Sequence, residues 1–145
     1  MKAFLDTSVL VPVFYGDHVH HAASLGVFTR FDKKDAGCGA HSLVEVYSAL
    51  TRMPGKYRIS GDQAMLFIGN IRERLTVVGL TPEEYFVMLE TNAALGIAGG
   101  AIYDALLAGC ALKSGAVTLY TWNLRHYGQL GPKVTPLLQT PQEII

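Results

Sequence analysis

The chain has 145 residues, 50% of them hydrophobic and 17% charged, which suits one domain over residues 1–145 and excludes a disordered or fibrous protein. Twelve Lys and Arg balance twelve Asp and Glu, so the formal net charge of zero excludes an overall basic field for nucleic acid or an anionic membrane. Two cysteines exclude a disulfide-dense secreted scaffold, and without a long apolar stretch or a signal-peptide pattern we expect a cytoplasmic protein with no membrane segment.

Hydrophobic spacing and capping residues predict alternating strands and helices along the first half of the chain. The segment Ala3-Phe4-Leu5 is short and apolar, as in a buried strand, and it runs into Asp6, Thr7 and Ser8, which readily cap a helix. The elements expected here are strand 3–5, helix 9–15, a helix within 18–34, strand 36–40, and helix 43–51 capped by Ser42.

The second half continues the alternation and contains the clearest local signal. Thr81 at the N-cap, Pro82 at the first helical position and Glu84 form a capping box. The elements expected here are helix 62–74 with Met65, Leu66, Ile68 and Leu75 inward, strand 76–78, helix 82–95, helix 102–114, strand 117–121, a helical turn from Asn123, and an edge strand 134–138 broken by Pro136 before a short acidic and apolar tail. This order predicts an α/β fold, a single-domain three-layer α/β/α sandwich around a mainly parallel central sheet.

Acidic and polar side chains are expected at one edge of this sheet, where ligands bind in open α/β folds. Asp6 follows the first strand, and Glu45 is expected in the first turn of the helix after the second strand. Asn123 follows the strand that ends at Thr121, so these side chains are expected to converge above the sheet. Asp104 has only small or apolar neighbours at helical contact spacing, which predicts that its carboxylate points inward.

Inward carboxylates need a compensating partner, because removing an isolated charge from water is costly. No Lys or Arg lies beside Glu45, and none follows Asp104 before Lys113, so a common Mg²⁺ or Mn²⁺ ion is the least costly partner. Such an ion favours chemistry on phosphates. Each acid also has an ordinary explanation, since Asp6 or Asp104 can cap a helix and Glu45 can be solvated. Their joint placement is what favours a metal site.

Four segments contain these residues: Leu5-Asp6-Thr7-Ser8-Val9-Leu10, Ser42-Leu43-Val44-Glu45-Val46, Ile102-Tyr103-Asp104-Ala105-Leu106-Leu107-Ala108, and Leu119-Tyr120-Thr121-Trp122-Asn123-Leu124-Arg125-His126-Tyr127. In this order they resemble the motifs of PIN-domain ribonucleases, most closely those of VapC-type toxins. The resemblance implies a PIN-like fold and a metal-dependent endoribonuclease that uses Mg²⁺ or Mn²⁺, cleaves RNA and pairs with a cognate antitoxin.

The resemblance also implies roles for single residues. The implied catalytic set is Asp6, Thr7, Glu45, Asp104, Thr121 and Asn123. Its three acids, Asp6, Glu45 and Asp104, are the implied metal ligands, and its two threonines hold the small-hydroxyl positions. Asn123 is a departure, because many members have aspartate at that position and others have asparagine. An amide oxygen still accepts a hydrogen bond but carries no charge, which weakens the case for a second tightly held ion.

The implied reaction is in-line attack by metal-activated water on an RNA phosphodiester, leaving a 5′-phosphate and a 3′-hydroxyl. A ribonuclease that uses the RNA 2′-hydroxyl as nucleophile normally needs a histidine pair, and the five histidines here favour that route little. His18, His20 and His21 are close in sequence, but they suit the exposed first turn of a helix better than a metal or acid–base cluster.

Substrate contacts are expected from local positive charge, because the chain is neutral overall. The region around Tyr57, itself a possible stacking face, contains five basic residues, which fit RNA binding, antitoxin binding or a solvated surface: Arg52, Lys56, Arg58, Arg72 and Arg74. The individual residues for which we expect substrate contact are His41, Arg52 and Arg125.

The apolar stretches 65–68 and 85–89 offer more surface than one helix face buries, and with the resemblance they imply a homodimer or an antitoxin groove. Two other functions stay open. A non-catalytic PIN-like RNA- or protein-binding module is suggested by Asn123 and the missing fourth acid. A phosphorylated α/β signalling domain is disfavoured, because no second aspartate closely follows Asp6 and no lysine is well placed beside a late strand.

Overall fold

The computed structural model describes residues 1–142 and contains a parallel five-stranded sheet with helices on both faces. The strands are β1 (Ala3–Leu5), β2 (Ala36–Gly39), β3 (Thr76–Val78), β4 (Thr118–Tyr120) and β5 (Leu138–Gln139), in the order β3-β2-β1-β4-β5. The helices are α1 (Thr7–Val13), α2 (His21–Arg30), α3 (Ala40–Thr51), α4 (Gly61–Arg74), α5 (Pro82–Ala94), α6 (Ala101–Lys113) and α7 (Leu124–Tyr127). The predicted three-layer α/β/α architecture is confirmed. Residues 143–145 of the expected tail lie outside the described residues.

The central strand β1 divides the core between the two faces of the sheet, because successive residues of a strand point to opposite sides. Leu5 lies in a core with Val46 and Ile71, from helices that cover one face. Phe4 lies in a second core with Ala108 and Tyr127, from helices that cover the other face. The backbone at the end of β1 is therefore held by packing on both sides.

Strand β2 consists of small residues because its neighbours approach closely. A Cβ atom at Gly39 would lie 2.5 Å from Leu107 Cδ2 of α6, and one at Gly37 would lie 2.7 Å from the Thr76 carbonyl oxygen of β3. The two glycines therefore allow the short separations between β2, α6 and the neighbouring strand.

Helix α3 begins earlier than predicted, which changes the position of Glu45. Gly39 is the N-cap, and Ser42 is buried within the first turn instead of capping the helix. Glu45 is consequently the sixth residue of α3 and lies in its second turn, so the expected first-turn position is wrong. The glycine-rich strand allows this early start, because Gly39 has the extended backbone of an N-cap.

The predicted apolar face of α4 is only partly correct. Ile68 and Leu75 are buried, but Met65 is 56% exposed and Leu66 is 70% exposed. The buried stripe repeats at helical spacing through positions 64, 68, 71 and 75, and this stripe turns the two exposed side chains toward solvent. At the other end of the chain, Pro136 falls in a 3-10 turn, so strand pairing is confined to the short β5.

The order of the strands creates a crevice between β1 and β4. From β1 the chain moves outward through β2 and β3, and it then returns to the opposite side of β1 for β4 and β5. The connections at the carboxyl ends of β1 and β4 therefore diverge, which is where ligands bind in open α/β sheets. Asp6 follows β1 and Thr121 follows β4, so both flank the crevice.

Both cysteines are buried as free thiols. Burial raises the pKa of Cys38 to about 12 and that of Cys110 to about 11, so both are protonated and unreactive at neutral pH. Within residues 1–142, no helix combines the length and apolar character that crossing a membrane requires.

Candidate active site

The carboxylate of Asp6 lies at the carboxyl end of β1 and is only 2% exposed. Its Oδ2 accepts hydrogen bonds from Ser8 Oγ at 2.7 Å and from Thr121 Oγ1 at 2.9 Å. Its Oδ1 accepts from the Tyr127 hydroxyl at 2.6 Å. Oδ2 also accepts from the Ser8 backbone N–H at 3.3 Å, so Asp6 caps α1 and takes part in the polar cluster at once.

Tyr127 is the main site residue that the sequence did not single out. Its side chain is fully buried, and burial together with the negative charge of Asp6 raises the pKa of Tyr127 well above its usual value. The hydroxyl is therefore a permanent donor to Asp6. In the sequence, an aromatic residue in a short helix resembles ordinary core. The one available signal is chemical, because a buried tyrosine needs an acceptor for its hydroxyl.

Glu45 reaches the site from α3 and is bound to α1. The Thr7 hydroxyl donates to Glu45 Oε1 at 2.8 Å and lies 2.8 Å from Oγ of the buried Ser42. His41 lies one turn before Glu45, with its Nε2 3.9 Å from the same oxygen. The His41 ring stacks on Tyr103 of α6, with centroids 5.2 Å apart and planes 5° from parallel. Glu45 is thus connected to both α1 and α6.

Asp104 completes the cluster from the first turn of α6, with 22% of its side chain exposed. Burial and the charge of Asp6 raise the pKa of Asp104 to about 6, and the charge of Glu45 adds to the rise. His126 acts in the opposite direction, with its Nδ1 3.7 Å from Asp104 Oδ2. Because the charges of Asp6 and Glu45 both raise the pKa of Asp104, the three acids share one neighbourhood.

The structure therefore brings together most of the implied catalytic set, namely Asp6, Thr7, Glu45, Asp104 and Thr121. Asn123 lies beside this cluster and not within its hydrogen-bond network. Its side chain is exposed at the start of α7, and its backbone N–H donates to Thr121 Oγ1 at 3.0 Å.

The basic residues lie at the margin of the site or away from it. Arg125 is exposed on α7, and Arg52 is exposed at the end of α3. Arg74 has a structural role instead, because its guanidinium donates to the backbone carbonyls of residues 28, 29 and 31. Arg58 donates through Nε to a backbone carbonyl of its own loop. The expected basic cluster is therefore smaller than the sequence indicated.

Within residues 1–142, no group of three or more His, Cys, Asp or Glu side chains is arranged so that it could hold a metal ion. Carboxylate oxygens with excess negative charge nonetheless suit a hydrated divalent ion, because Mg²⁺ usually keeps several waters and binds through one or two carboxylates. Asp104 is partly exposed and repelled by its neighbours, whereas Asp6 is engaged by three side-chain hydroxyls. The donor set therefore fits a hydrated ion near Asp104.

Comparison with protein families and curated proteins gives consistent matches. The family model described as PIN domain matches residues 3–127. Ribonuclease VapC27 of Mycobacterium tuberculosis is 37% identical over 105 residues, which are 72% of this chain and 72% of that protein. Ribonuclease VapC40 of the same species is 33% identical over 120 residues, 83% of this chain and 85% of that protein.

Solved structures share the fold at low sequence identity. Mycobacterium tuberculosis VapC20, described as a sarcin-ricin loop cleaving toxin, has a TM-score of 0.69 and 16% identity over 88% of this chain and 94% of its own. VapBC2 from Rickettsia felis, solved with a DNA fragment from its promoter, has a TM-score of 0.67 and 17% identity over 98% of this chain and 100% of its own.

Proposed function

Because this chain belongs to the PIN domain family, among its VapC-type ribonucleases, we propose that it is an endoribonuclease that hydrolyses RNA phosphodiester bonds and is the toxin of a toxin–antitoxin pair. The convergence of Asp6, Glu45 and Asp104 at the crevice between β1 and β4 carries this proposal. Three carboxylates in one neighbourhood repel one another, and an arrangement that costs stability in this way is typical of a functional site.

The proposed cofactor is Mg²⁺ or Mn²⁺, held near Asp104 with Glu45 and Asp6 as the further acidic ligands. When bound, a divalent ion would polarise the phosphoryl oxygens and lower the pKa of a coordinated water. The neutral amide of Asn123 supports a site for one ion.

The side chains of the protein position the acids and the RNA. Ser8, Thr121 and Tyr127 hold both oxygens of Asp6, so its carboxylate cannot rotate when substrate enters. Thr7 fixes Glu45 in the same way. Such fixed carboxylates need no reorganisation during the reaction, which is how a preorganised site lowers a barrier.

The exposed rim of the site is proposed to receive the substrate phosphates. Arg125 on α7 supplies a bidentate donor for a phosphate, and His41 lies beside Glu45 with its ring fixed by stacking on Tyr103. Arg52 is farther along α3 and is proposed to contact RNA away from the scissile bond.

The test is cleavage of an end-labelled single-stranded RNA by the purified protein, with Mg²⁺ or Mn²⁺ and with EDTA. We expect cleavage only with the metal, and loss of cleavage in Asp6→Asn and Asp104→Asn variants that remain folded by circular dichroism. Asp62→Asn is the matched control, because Asp62 is an exposed aspartate at the start of α4, away from the site. Full cleavage by both active-site variants would contradict the proposal.

A second candidate is a non-catalytic module that binds RNA or protein. It is favoured by the neutral Asn123 and by the lack, within residues 1–142, of three such side chains arranged so that they could hold a metal ion. Titration calorimetry separates the two candidates. The nuclease binds Mn²⁺ in a manner that depends on Asp104, whereas the module binds RNA with no metal requirement and cuts nothing.

We propose a homodimer and a cognate antitoxin as the protein partners, and the cytoplasm as the location. Helix α5 presents an apolar surface that a single chain leaves uncovered, with Tyr85, Phe86, Val87 and Leu89 between 42% and 66% exposed. Analytical ultracentrifugation checks the dimer: Phe86→Glu is expected to give a monomer, and an unchanged sedimentation coefficient would place the interface elsewhere.

A further inference from the structure

A row of aromatic rings extends from the candidate active site to the basic segment 52–58. From the site outward, the members of this aromatic row are Trp122, His20, His18, Tyr15 and Tyr57. Their successive ring centroids are 3.6, 5.5, 5.8 and 5.1 Å apart. Lys56 Nζ lies 5.2 Å from the centroid of the last ring.

The inner end of the row is fixed by hydrogen bonds, one of them to a residue that contacts Asp6. The Trp122 indole N–H donates to the buried Ser24 hydroxyl at 2.9 Å, and the Trp122 backbone N–H donates to Ser8 Oγ at 2.9 Å. Ser8 in turn holds the Asp6 carboxylate. A cavity of about 440 Å³ runs along Trp122, His20 and His18 and reaches Ser8 and Asn123. A group stacked in it would contact Ser8, whose hydroxyl donates to Asp6.

The outer end of the row meets positive charge. Arg52 and Lys56 are both exposed, and Lys56 lies over the last ring of the row. All five ring side chains are half-buried, so none is fully buried core. Burial and the neighbouring His20 and His21 lower the pKa of His18, so at pH 7 this ring is neutral and offers an uncharged stacking face.

We propose that the aromatic row binds single-stranded RNA on one side of the scissile phosphate, with nucleobases stacked on its rings and phosphates paired with Arg52 and Lys56. This inference rests on the proposed ribonuclease function and specifies how its substrate is held. Single-strand channels combine stacking rings with a positive groove, and each stacked base contributes roughly 1–3 kcal/mol without strong sequence preference. The row has both components, and its inner end is linked to Asp6 through Ser8.

Tryptophan fluorescence gives a direct readout, because Trp122 is the only tryptophan in the chain. The full-length protein is titrated in EDTA with oligo(A) or oligo(U) of about ten nucleotides, a length within the range of single-strand sites. We expect quenching of the emission. An abasic oligomer of equal length keeps the phosphates and lacks the bases, so it is expected to bind more weakly and without quenching.

Two substitutions test the row against a matched control. His20→Leu and Tyr15→Leu each remove one ring and are expected to weaken RNA binding roughly 5- to 150-fold, the equivalent of one stacked base. Tyr47→Leu removes a 41% exposed ring on α3 that is not part of the row, and it is expected to leave binding unchanged. His20 stacks closely on Trp122, so its substitution can disturb folding. Tyr15→Leu keeps the proposal testable in that case.

A substitution of Asp17 shows whether the molecule bound to the aromatic row is negatively or positively charged. After burial, the negative charge of Asp17 is the main cause that raises the pKa of Tyr57, the outermost ring of the row. Asp17→Asn removes a negative charge, so it is expected to tighten RNA binding. If the row instead receives a basic segment of a protein partner, Asp17→Asn weakens that partner's binding and RNA causes no quenching, which overturns the proposal.

The outcomes separate this inference from the nuclease proposal. RNA that quenches Trp122 but is never cut with Mn²⁺ supports the aromatic row and refutes the nuclease. RNA that is cut without quenching Trp122, or that binds His20→Leu and Tyr15→Leu as tightly as it binds the unmodified protein, refutes the aromatic row and leaves the nuclease standing.

Discussion

Replacing Asp104 with asparagine should stabilise the protein in the absence of metal while abolishing RNA cleavage. The pKa of Asp104 is raised from its ordinary value of 3.8 to about 6, because the side chain is buried beside the negative charges of Asp6 and Glu45. One pKa unit corresponds to about 1.36 kcal/mol, which gives an upper bound of about 3 kcal/mol opposing folding above pH 6. Since 22% of the side chain is exposed, solvent screening reduces the expected gain to about 1–2 kcal/mol.

The raised pKa of Asp104 also determines in which direction the stability of the protein changes with pH. The folded protein holds a proton on Asp104 more tightly than the unfolded chain does, because its folded pKa is the higher one. The contribution of Asp104 to stability therefore improves as the pH falls through about 6 toward 3.8, and is least favourable above pH 6. We expect the unmodified protein in EDTA to gain stability between pH 7.5 and pH 5.5, and Asp104→Asn to gain less.

Urea unfolding followed by circular dichroism measures both effects. At pH 7.5 in EDTA, the midpoint of Asp104→Asn is expected to lie above that of the unmodified protein at an unchanged slope. Asp62→Asn serves as the surface control. Adding Mn²⁺ is expected to raise the midpoint of the unmodified protein and to have little effect on the variant. A loss of 1 kcal/mol or more for the variant in EDTA would refute mutual repulsion among the acids.

Three further substitutions follow from packing and hydrogen bonding, and urea unfolding checks each of them. Tyr127→Phe removes a hydrogen-bond donor to the buried Asp6 carboxylate and should lower the free energy of unfolding by about 1.5–3 kcal/mol. The control Tyr103→Phe changes a side chain that is 52% exposed and should have little effect on stability. Equal losses of stability in the two variants would contradict the importance of the Tyr127–Asp6 hydrogen bond. Gly37→Ala places a Cβ 2.7 Å from a backbone carbonyl of β3 and should destabilise by more than about 2 kcal/mol. Gly69→Ala enters open space within α4 and should instead stabilise by about 0.5–1 kcal/mol.

The order of strands and helices along the sequence is enough to predict where several residues of the candidate site lie. Parallel strands bring their carboxyl ends to one edge of the sheet, so residues that directly follow β1 and β4 must lie close together. Asp6 and Thr121 meet this condition, and they are joined by a hydrogen bond. Asp104 is predicted for a different reason, since a carboxylate on an otherwise apolar helical face must point toward something that compensates its charge.

Contacts that depend on the angle between elements could not be predicted in this way. Tyr127 reaches Asp6 from α7, which packs against α6 and β5, and a four-residue helix has too little periodicity to indicate its direction. The stacking of His20 on Trp122 joins two loops that are about a hundred residues apart. Glu45 lies about one turn later in its helix than predicted, because the N-cap of α3 is Gly39, which has no side chain to cap the helix.

Two of the three side-chain hydroxyls that donate to Asp6 come from residues 115 and 121 positions farther along the chain. During synthesis the first acid of the site therefore emerges from the ribosome long before the groups that immobilise it. A chain that stops short of β4 has Asp6, Glu45 and Asp104 but lacks the hydroxyls of Thr121 and Tyr127 that bind the first of them. We therefore expect an Asp6 carboxylate that is less firmly oriented in such a fragment, with Ser8 as its remaining side-chain partner.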